Sequence, residues 1–229
     1  MKKLIKSVPV IGTTATYLYR RFIKTPPDFS GSGNYWEERY KSGGNSGLGS
    51  YNRLAEFKAG FLNDFVRAKQ IKSVIEFGFG DGNQLLLATY PKYIGFDVSE
   101  TALGICKTKF AQDPSKSFYL MSEYRDEKAE LALSLDVIYH LVEDDVFHEY
   151  MTRLFDSSER YVIVYSSNKN ETLDSVSHVR HRKFTDWVIS QEPIWTLVDT
   201  VKNRYPSKLG DDNTSFADFY VFERNGQSR

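Results

Sequence analysis

One cysteine, no net charge and no long apolar run set the first limits on this 229-residue chain. Cys106 has no second cysteine with which to close an internal disulfide, which fits a reducing, cytoplasmic compartment. The ordinary role left to it is that of a small buried apolar side chain. Thirty basic residues against thirty acidic ones lack the basic excess of a general nucleic-acid binder, so no nucleic-acid partner is expected. No apolar stretch reaches the ~18 to 20 residues that a bilayer-spanning helix requires. Metal ligands are equally scarce: His178 and His181 lie three apart with no second cluster, and no metal is expected.

Acidic residues are missing altogether before Asp28, where all six charges are basic; the rest of the chain carries twenty-four basic and thirty acidic residues, a net of minus six. Within that basic stretch Leu4, Val8, Ile11, Ala15, Leu18 and Phe22 recur at helical spacing, although Pro9 and Gly12 divide the helix into pieces. Residues 1–27 therefore read as a basic amphipathic arm. It could lie on an anionic membrane surface at the cytoplasmic face, or pack on its own domain or on another subunit of a homo-oligomer. Interrupting threonines and Arg20 argue against a secretory signal. Residues 28–70 hold two Gly/Ser-rich tracts around the block Asn34–Tyr40, then a helical pattern from Tyr51 marked by Leu54, Phe57, Phe61, Leu62, Phe65 and Val66. Residues 71–229 form the main domain.

What is present in that domain centres on Ser73–Gly82, a β-branched and aromatic run that ends in Gly78, Gly80 and Gly82. A dinucleotide loop needs Gly-x-Gly-x-x-Gly, and the position that form requires is Asn83. A second apolar run, Tyr93–Val98, delivers Asp97 twenty-one residues after Glu76. In an open α/β sheet an acid at the end of the second strand can accept from both ribose hydroxyls. The loop with its acid places a phosphate-free nucleoside cofactor ahead of NAD or a plain turn.

The pattern Glu-x-Gly-x-Gly-x-Gly from Glu76 to Gly82 resembles the first motif of class I S-adenosylmethionine (SAM) methyltransferases. Beyond Asp97, helix signals at 99–111 and 143–155 alternate with strand signals at 117–121, 129–141 and 161–165. Two further strands, 195–201 and 216–223, follow with no helix between them. This order predicts a Rossmann-like, doubly wound, mostly parallel α/β sheet with an antiparallel last strand, plus the N-terminal helical arm. Seven strands are what the resemblance implies. It also implies SAM contacts at Glu76, Gly78, Phe79, Gly80, Gly82, Asp97 and Val98, with Ser122 in the adenine loop, although the expected acid is missing there.

The run Leu133–Asp144 is similar to the fourth-strand region of the same superfamily, which brings Asp136 and His140 to the active site as candidate catalytic groups. An Asp in so apolar a run is costly unless paired or functional. Capping the next helix is its alternative role, and a core histidine is the alternative for His140. The segments Tyr35–Tyr40, Gly43–Tyr51 and Leu54–Lys58 resemble methyltransferases encoded among bacterial surface-polysaccharide genes, in which such a segment folds over the cofactor as a lid. Ser46, Ser50 and Tyr51 are then further SAM contacts, unless the segment is merely a connector. His178, Arg180, His181 and Arg182 form either a substrate-binding anion site or a solvated basic face. The expectation is a methyltransferase acting on a glycan or phosphorylated glycan precursor. A small-molecule or protein methyltransferase and a non-catalytic SAM-binding scaffold stand as alternatives.

Overall fold

Hydrophobic alternation along the strands builds the molecule from its centre outwards. In a computed structural model, which describes residues 29–171 and 178–226, β1 (Val74–Phe77), β2 (Tyr93–Asp97), β3 (Lys116–Leu120), β4 (Ala129–Leu135), β5 (Ser158–Ser166), β6 (Trp195–Val201) and β7 (Asp218–Arg224) form one seven-stranded sheet. Successive side chains on a strand face opposite ways. Leu131, Leu133, Tyr161 and Ile163 accordingly enter one buried cluster, and Ala132, Val162 and Val164 enter the other. Every residue of β1 is buried, as a central strand covered on both faces must be.

The strand order is β3-β2-β1-β4-β5-β7-β6. Strands β1 to β5 pair in parallel, while β7 runs antiparallel to both β5 and β6. The expected antiparallel last strand is therefore present, formed by a hairpin inserted next to β5. Chain order reverses at β1, with β2 on one side and β4 on the other. Such a switch point opens a crevice at the carboxyl ends of the two central strands, where doubly wound folds bind ligands.

Helices cover both faces. α1 (Ser32–Lys41) and α2 (Asn52–Ala68) precede the sheet; α3 (Glu100–Lys109), α4 (Asp144–Asp156) and α5 (Phe184–Gln191) follow β2, β4 and β5. The Ser99 side chain caps α3 by accepting from the Ala102 N–H. In α4, Phe147, Met151, Leu154 and Phe155 make the buried stripe, with Asp144 and Asp145 favourably placed in the first turn. The buried stripe of α2 is Leu54, Ala55, Lys58, Ala59, Leu62 and Val66. The phenylalanines expected to lead that face, Phe57, Phe61 and Phe65, instead flank it half-buried, with Phe61 lying 4.3 Å from Phe219.

The regular strand-helix alternation read from the sequence is interrupted twice. Short 3-10 turns at Gln84–Leu87 and Met121–Glu123 are the only helical turns linking β1 to β2 and β3 to β4. The run from Ala129 to Leu141 is also two elements, β4 and a turn at Ile138–His140, separated where Asp136 adopts φ +61°. The chain divides into two units, Met1–Ser30 and Gly31–Arg229, and the elements described belong to the second. The arm expected at residues 1–27 lies outside the described residues. No helix among those described is long and apolar enough to cross a membrane.

Candidate active site

The glycine loop leaves β1 directly into the crevice. Gly78, Gly80 and Gly82 all have positive φ, between 59° and 88°, a conformation that side chains disfavour. Each also admits a neighbour from the protein itself. A Cβ would stand 2.5 Å from Val137 at Gly78, 2.3 Å from the Ser46 hydroxyl at Gly80 and 2.8 Å from the Cys106 sulfur at Gly82. The glycines thus serve contacts with the β4 loop, the Gly/Ser-rich segment and α3.

Asp97 ends β2 and braces this loop: one carboxylate oxygen accepts from the Gly80 N–H at 2.8 Å and the other from the Ser99 N–H at 3.0 Å. Burial pushes its pKa up, against the pull of N–H groups from Ser99, Gly80 and Val98. Three N–H groups on a carboxylate with about four lone-pair sites still leave acceptor capacity. Glu76, one residue from the end of β1, accepts from the Tyr93 hydroxyl at 2.7 Å, and burial pushes it up to about 7. Cys106 is fully buried beneath the loop, with its S–H 3.4 Å from the Gly80 carbonyl.

Across the loop lies the Gly/Ser-rich segment, fastened through Asp81. That carboxylate accepts from the Ser46 N–H at 3.0 Å, the Tyr51 hydroxyl at 2.7 Å and the Asn83 N–H at 2.9 Å. Ser46 returns the contact by accepting from the Asp81 N–H at 2.8 Å. α1 is held in turn by Glu37, which accepts from both Ser99 and Thr101 at the start of α3. Its first residue, Ser32, is tied to Glu143 and to the His140 carbonyl.

At the β4 side of the crevice, Asp136 is engaged through both oxygens. The ammonium of Lys58, a residue 1% exposed, donates to one at 2.6 Å, and the Tyr139 hydroxyl donates to the other at 2.9 Å. The alternative expectation, a cap on the next helix, gives way to a buried ion pair. Sequence reading missed Lys58, although its spacing of four from both Leu54 and Leu62 puts it on the buried face of α2.

His140 follows one turn later. Its Nδ1 lies 2.9 Å from the His178 carbonyl oxygen, so Nδ1 must carry the proton, and Nε2 of the neutral ring bears the lone pair. Burial lowers its pKa to about 4, which keeps the ring neutral at pH 7. The His178 ring stacks between Tyr35 at 4.4 Å and His140 at 5.6 Å, and Trp36 meets His140 edge-on at 4.9 Å.

One cleft of about 900 Å³, mouth included, gathers most of these groups. Among the sequence candidates, Glu76, Gly78, Phe79, Gly80, Asp97 and Val98 line it, as do Asp136 and His140 and, from the lid segment, Ser46 and Ser50. Gly82, Tyr51 and Ser122 do not line it. Gly82 faces α3, Tyr51 acts through Asp81, and Ser122 is exposed on its turn beside Met121, which does reach the cleft.

The basic segment also lies apart. Arg182 donates to the Leu141 and Val142 carbonyls and pairs with Asp144, while Arg180 donates to the Val142 carbonyl and shares Asp144. His181 is buried with its Nδ1 2.6 Å from the Ser167 hydroxyl. The two arginines staple the loop after β4 through their terminal nitrogens, while Arg182 Nε and His181 Nε2 are buried without a partner among the described residues. Among the described residues no group of three or more His, Cys, Asp or Glu is arranged to hold a metal.

No protein-family model matches the sequence, and no curated protein matches it. Solved structures do. The methyltransferase domain of bacterial CtHen1 is 22% identical, with a TM-score of 0.57 over 74% of this chain and 97% of that one. The N-methyltransferase NodS of Bradyrhizobium japonicum, in complex with S-adenosylhomocysteine (SAH), is 14% identical, with a TM-score of 0.60 over 76% of this chain and 88% of that one. Magnesium protoporphyrin IX methyltransferase of Synechocystis, also with bound SAH, is 14% identical, with a TM-score of 0.57 over 94% and 96%. At these identities the likeness is one of fold, and that fold is the one shared by class I SAM-dependent methyltransferases.

Proposed function

We propose that the protein is a SAM-dependent methyltransferase acting on a hydroxyl group of a glycan or glycan precursor in surface-polysaccharide synthesis. The carrying observation is the convergence in one cleft of the glycine loop, the braced Asp97 and a neutral His140. The residues present suit the cofactor. Asp97 lines the cleft with acceptor capacity left for the ribose, and Phe96, Val98 and Met121 offer apolar walls for an adenine. When bound, SAM supplies an electrophilic methyl group on a sulfonium. The chain's own task is to position the acceptor oxygen in line and to take its proton. His140 meets the second need: its Nδ1–H is tied to the His178 carbonyl, which leaves Nε2 to accept the proton as the carbon–oxygen bond forms.

The state of the cations favours a hydroxyl over a phosphate oxygen. Lys58 is paired with Asp136, and Arg180 and Arg182 do not line the cleft. A phosphorylated precursor would then be held through its sugar, against the aromatic rim that contains Trp36. The glycan assignment rests on the likeness of residues 35–58 to polysaccharide-locus enzymes. Docking at the inner membrane face through residues 1–27, and self-association, belong to the same reading. Labelled methyl groups from SAM should appear in carbohydrate fractions of cell-envelope precursors with the wild type and not with His140→Ala. Label confined to proteins or small metabolites would move the acceptor class, and no SAM binding in calorimetry would end the proposal.

A further inference from the structure

Gln84 opens the turn directly after the glycine loop and lines the cleft. Its Nε2 donates to the Ala55 carbonyl of α2 at 3.1 Å. That bond sets the amide's orientation, because the flipped amide would face oxygen to oxygen. Oε1 is consequently turned away from Ala55. It is buried and has no hydrogen-bond partner among the described residues. A buried acceptor without a donor is destabilising, and native proteins rarely keep one without a use.

We infer that Gln84 is a ligand-binding residue whose Oε1 accepts a hydrogen bond from the α-ammonium group of the cofactor's amino-acid moiety, an inference that rests on the SAM reading. The fold narrows the choice of donor. SAM offers three kinds: the adenine amine, the ribose hydroxyls and the α-ammonium. Asp97, the acid suited to the ribose, ends β2 on one side of β1. Gln84 is joined to the other side: Ala55 and Lys58 share the buried face of α2, and Lys58 reaches Asp136 at the end of β4. An acceptor on the β4 side lies away from the ribose acid, and the donor left for it is the ammonium. The glutamine is neutral, so it can satisfy that cation without adding to the buried carboxylates Glu76, Asp81 and Asp97.

The test is isothermal titration of wild type and Gln84→Leu with three ligands: SAH, its analogue lacking the α-amino group, and 5′-methylthioadenosine, which lacks the whole amino-acid moiety. Gln84→Leu should weaken SAH about ten- to hundredfold, the effect of losing a hydrogen bond to a charged group. It should leave the other two ligands within about twofold. Equal weakening of all three, or of none, overturns the inference and assigns Oε1 to a structural water. If Gln84→Leu does not melt cooperatively, Gln84→Glu carries the test: its carboxylate should raise the preference for SAH over the desamino analogue, and an unchanged ratio overturns the inference. Wild-type protein that binds neither SAH nor methylthioadenosine would refute the SAM reading itself, a distinct result.

Discussion

Replacing Lys58 by methionine keeps the length of the side chain and removes its charge, which isolates the buried ion pair at the β4 end. In the native protein the two side chains are 1% and 12% exposed, with the ammonium 2.6 Å from the carboxylate. Removing one partner of such a pair costs about 3–5 kcal/mol, because the other charge is left in a poorly solvating site. Asp136 keeps the Tyr139 hydroxyl and borders the cleft, so water can reach it in part; the lower end, about 3 kcal/mol, applies. Asp136→Asn should cost a similar amount by stranding the ammonium, without added backbone strain, since Asn tolerates the positive φ of this position. The double variant removes both charges and should lie within about 1–2 kcal/mol of wild type, giving a coupling of several kcal/mol. Urea unfolding of the four proteins at pH 7 measures each term. A loss below about 1 kcal/mol for Lys58→Met, or strict additivity in the double variant, would refute the reasoning. Because Asp136 anchors the turn that carries His140, Lys58→Met should also slow methyl transfer in protein that remains folded.

His140→Ala should lower kcat by about 10²–10⁴-fold, and wild-type kcat/KM should rise through about pH 4 and then stay level to pH 8; a rise centred near 6.5 would contradict a buried base. The same depressed pKa means that unfolded chains take up the proton first as pH falls, so stability present above about 6.5 is lost towards 4. About 2 kcal/mol of this contribution should be gone by pH 5, read as the change in the difference between wild type and His140→Ala in urea titrations at pH 7 and 5. Glu76 has the opposite sign: its raised pKa gives stability that is complete below about 4.5 and lost as pH rises through about 7. Glu76→Gln should therefore be spared a loss of about 2 kcal/mol between pH 5.5 and 8, measured by denaturation at the two values; parallel curves would show that Glu76 is ionised throughout. Asp81→Ala removes the acceptor of Ser46, Tyr51 and Asn83, so amide exchange at residues 45–51 should rise at least about tenfold while the sheet keeps its protection. Unchanged exchange there would mean that the segment is held by other contacts.

How far the sequence reached is clearest around the glycine loop. Glu76, the glycines and Asp97 could be placed because a strand, its turn and the next strand are short-range patterns, and the β-branched runs already say which stretches must be buried on both faces. The two strands at 195–201 and 216–223, with no helix between them, likewise foretold the antiparallel β7. Asp136 and His140 were visible as polar residues in an apolar run, but their states were not. Whether Asp136 is a base or half of an ion pair depends on Lys58, 78 residues away, and the neutral tautomer of His140 depends on a carbonyl 38 residues on. The basic segment shows the limit from the other side. Its charges suggested an anion site, and only the folded chain brings the carbonyls of Leu141 and Val142 within reach of the Arg182 terminal nitrogens. By itself the sequence determined the strands around the glycine loop, the order of the sheet elements and the loop itself, since these follow from local periodicity and turn chemistry. The tertiary structure decided which polar groups are already satisfied and which, like Gln84 Oε1, are not, because burial and hydrogen-bond pairing are set by neighbours distant in the chain.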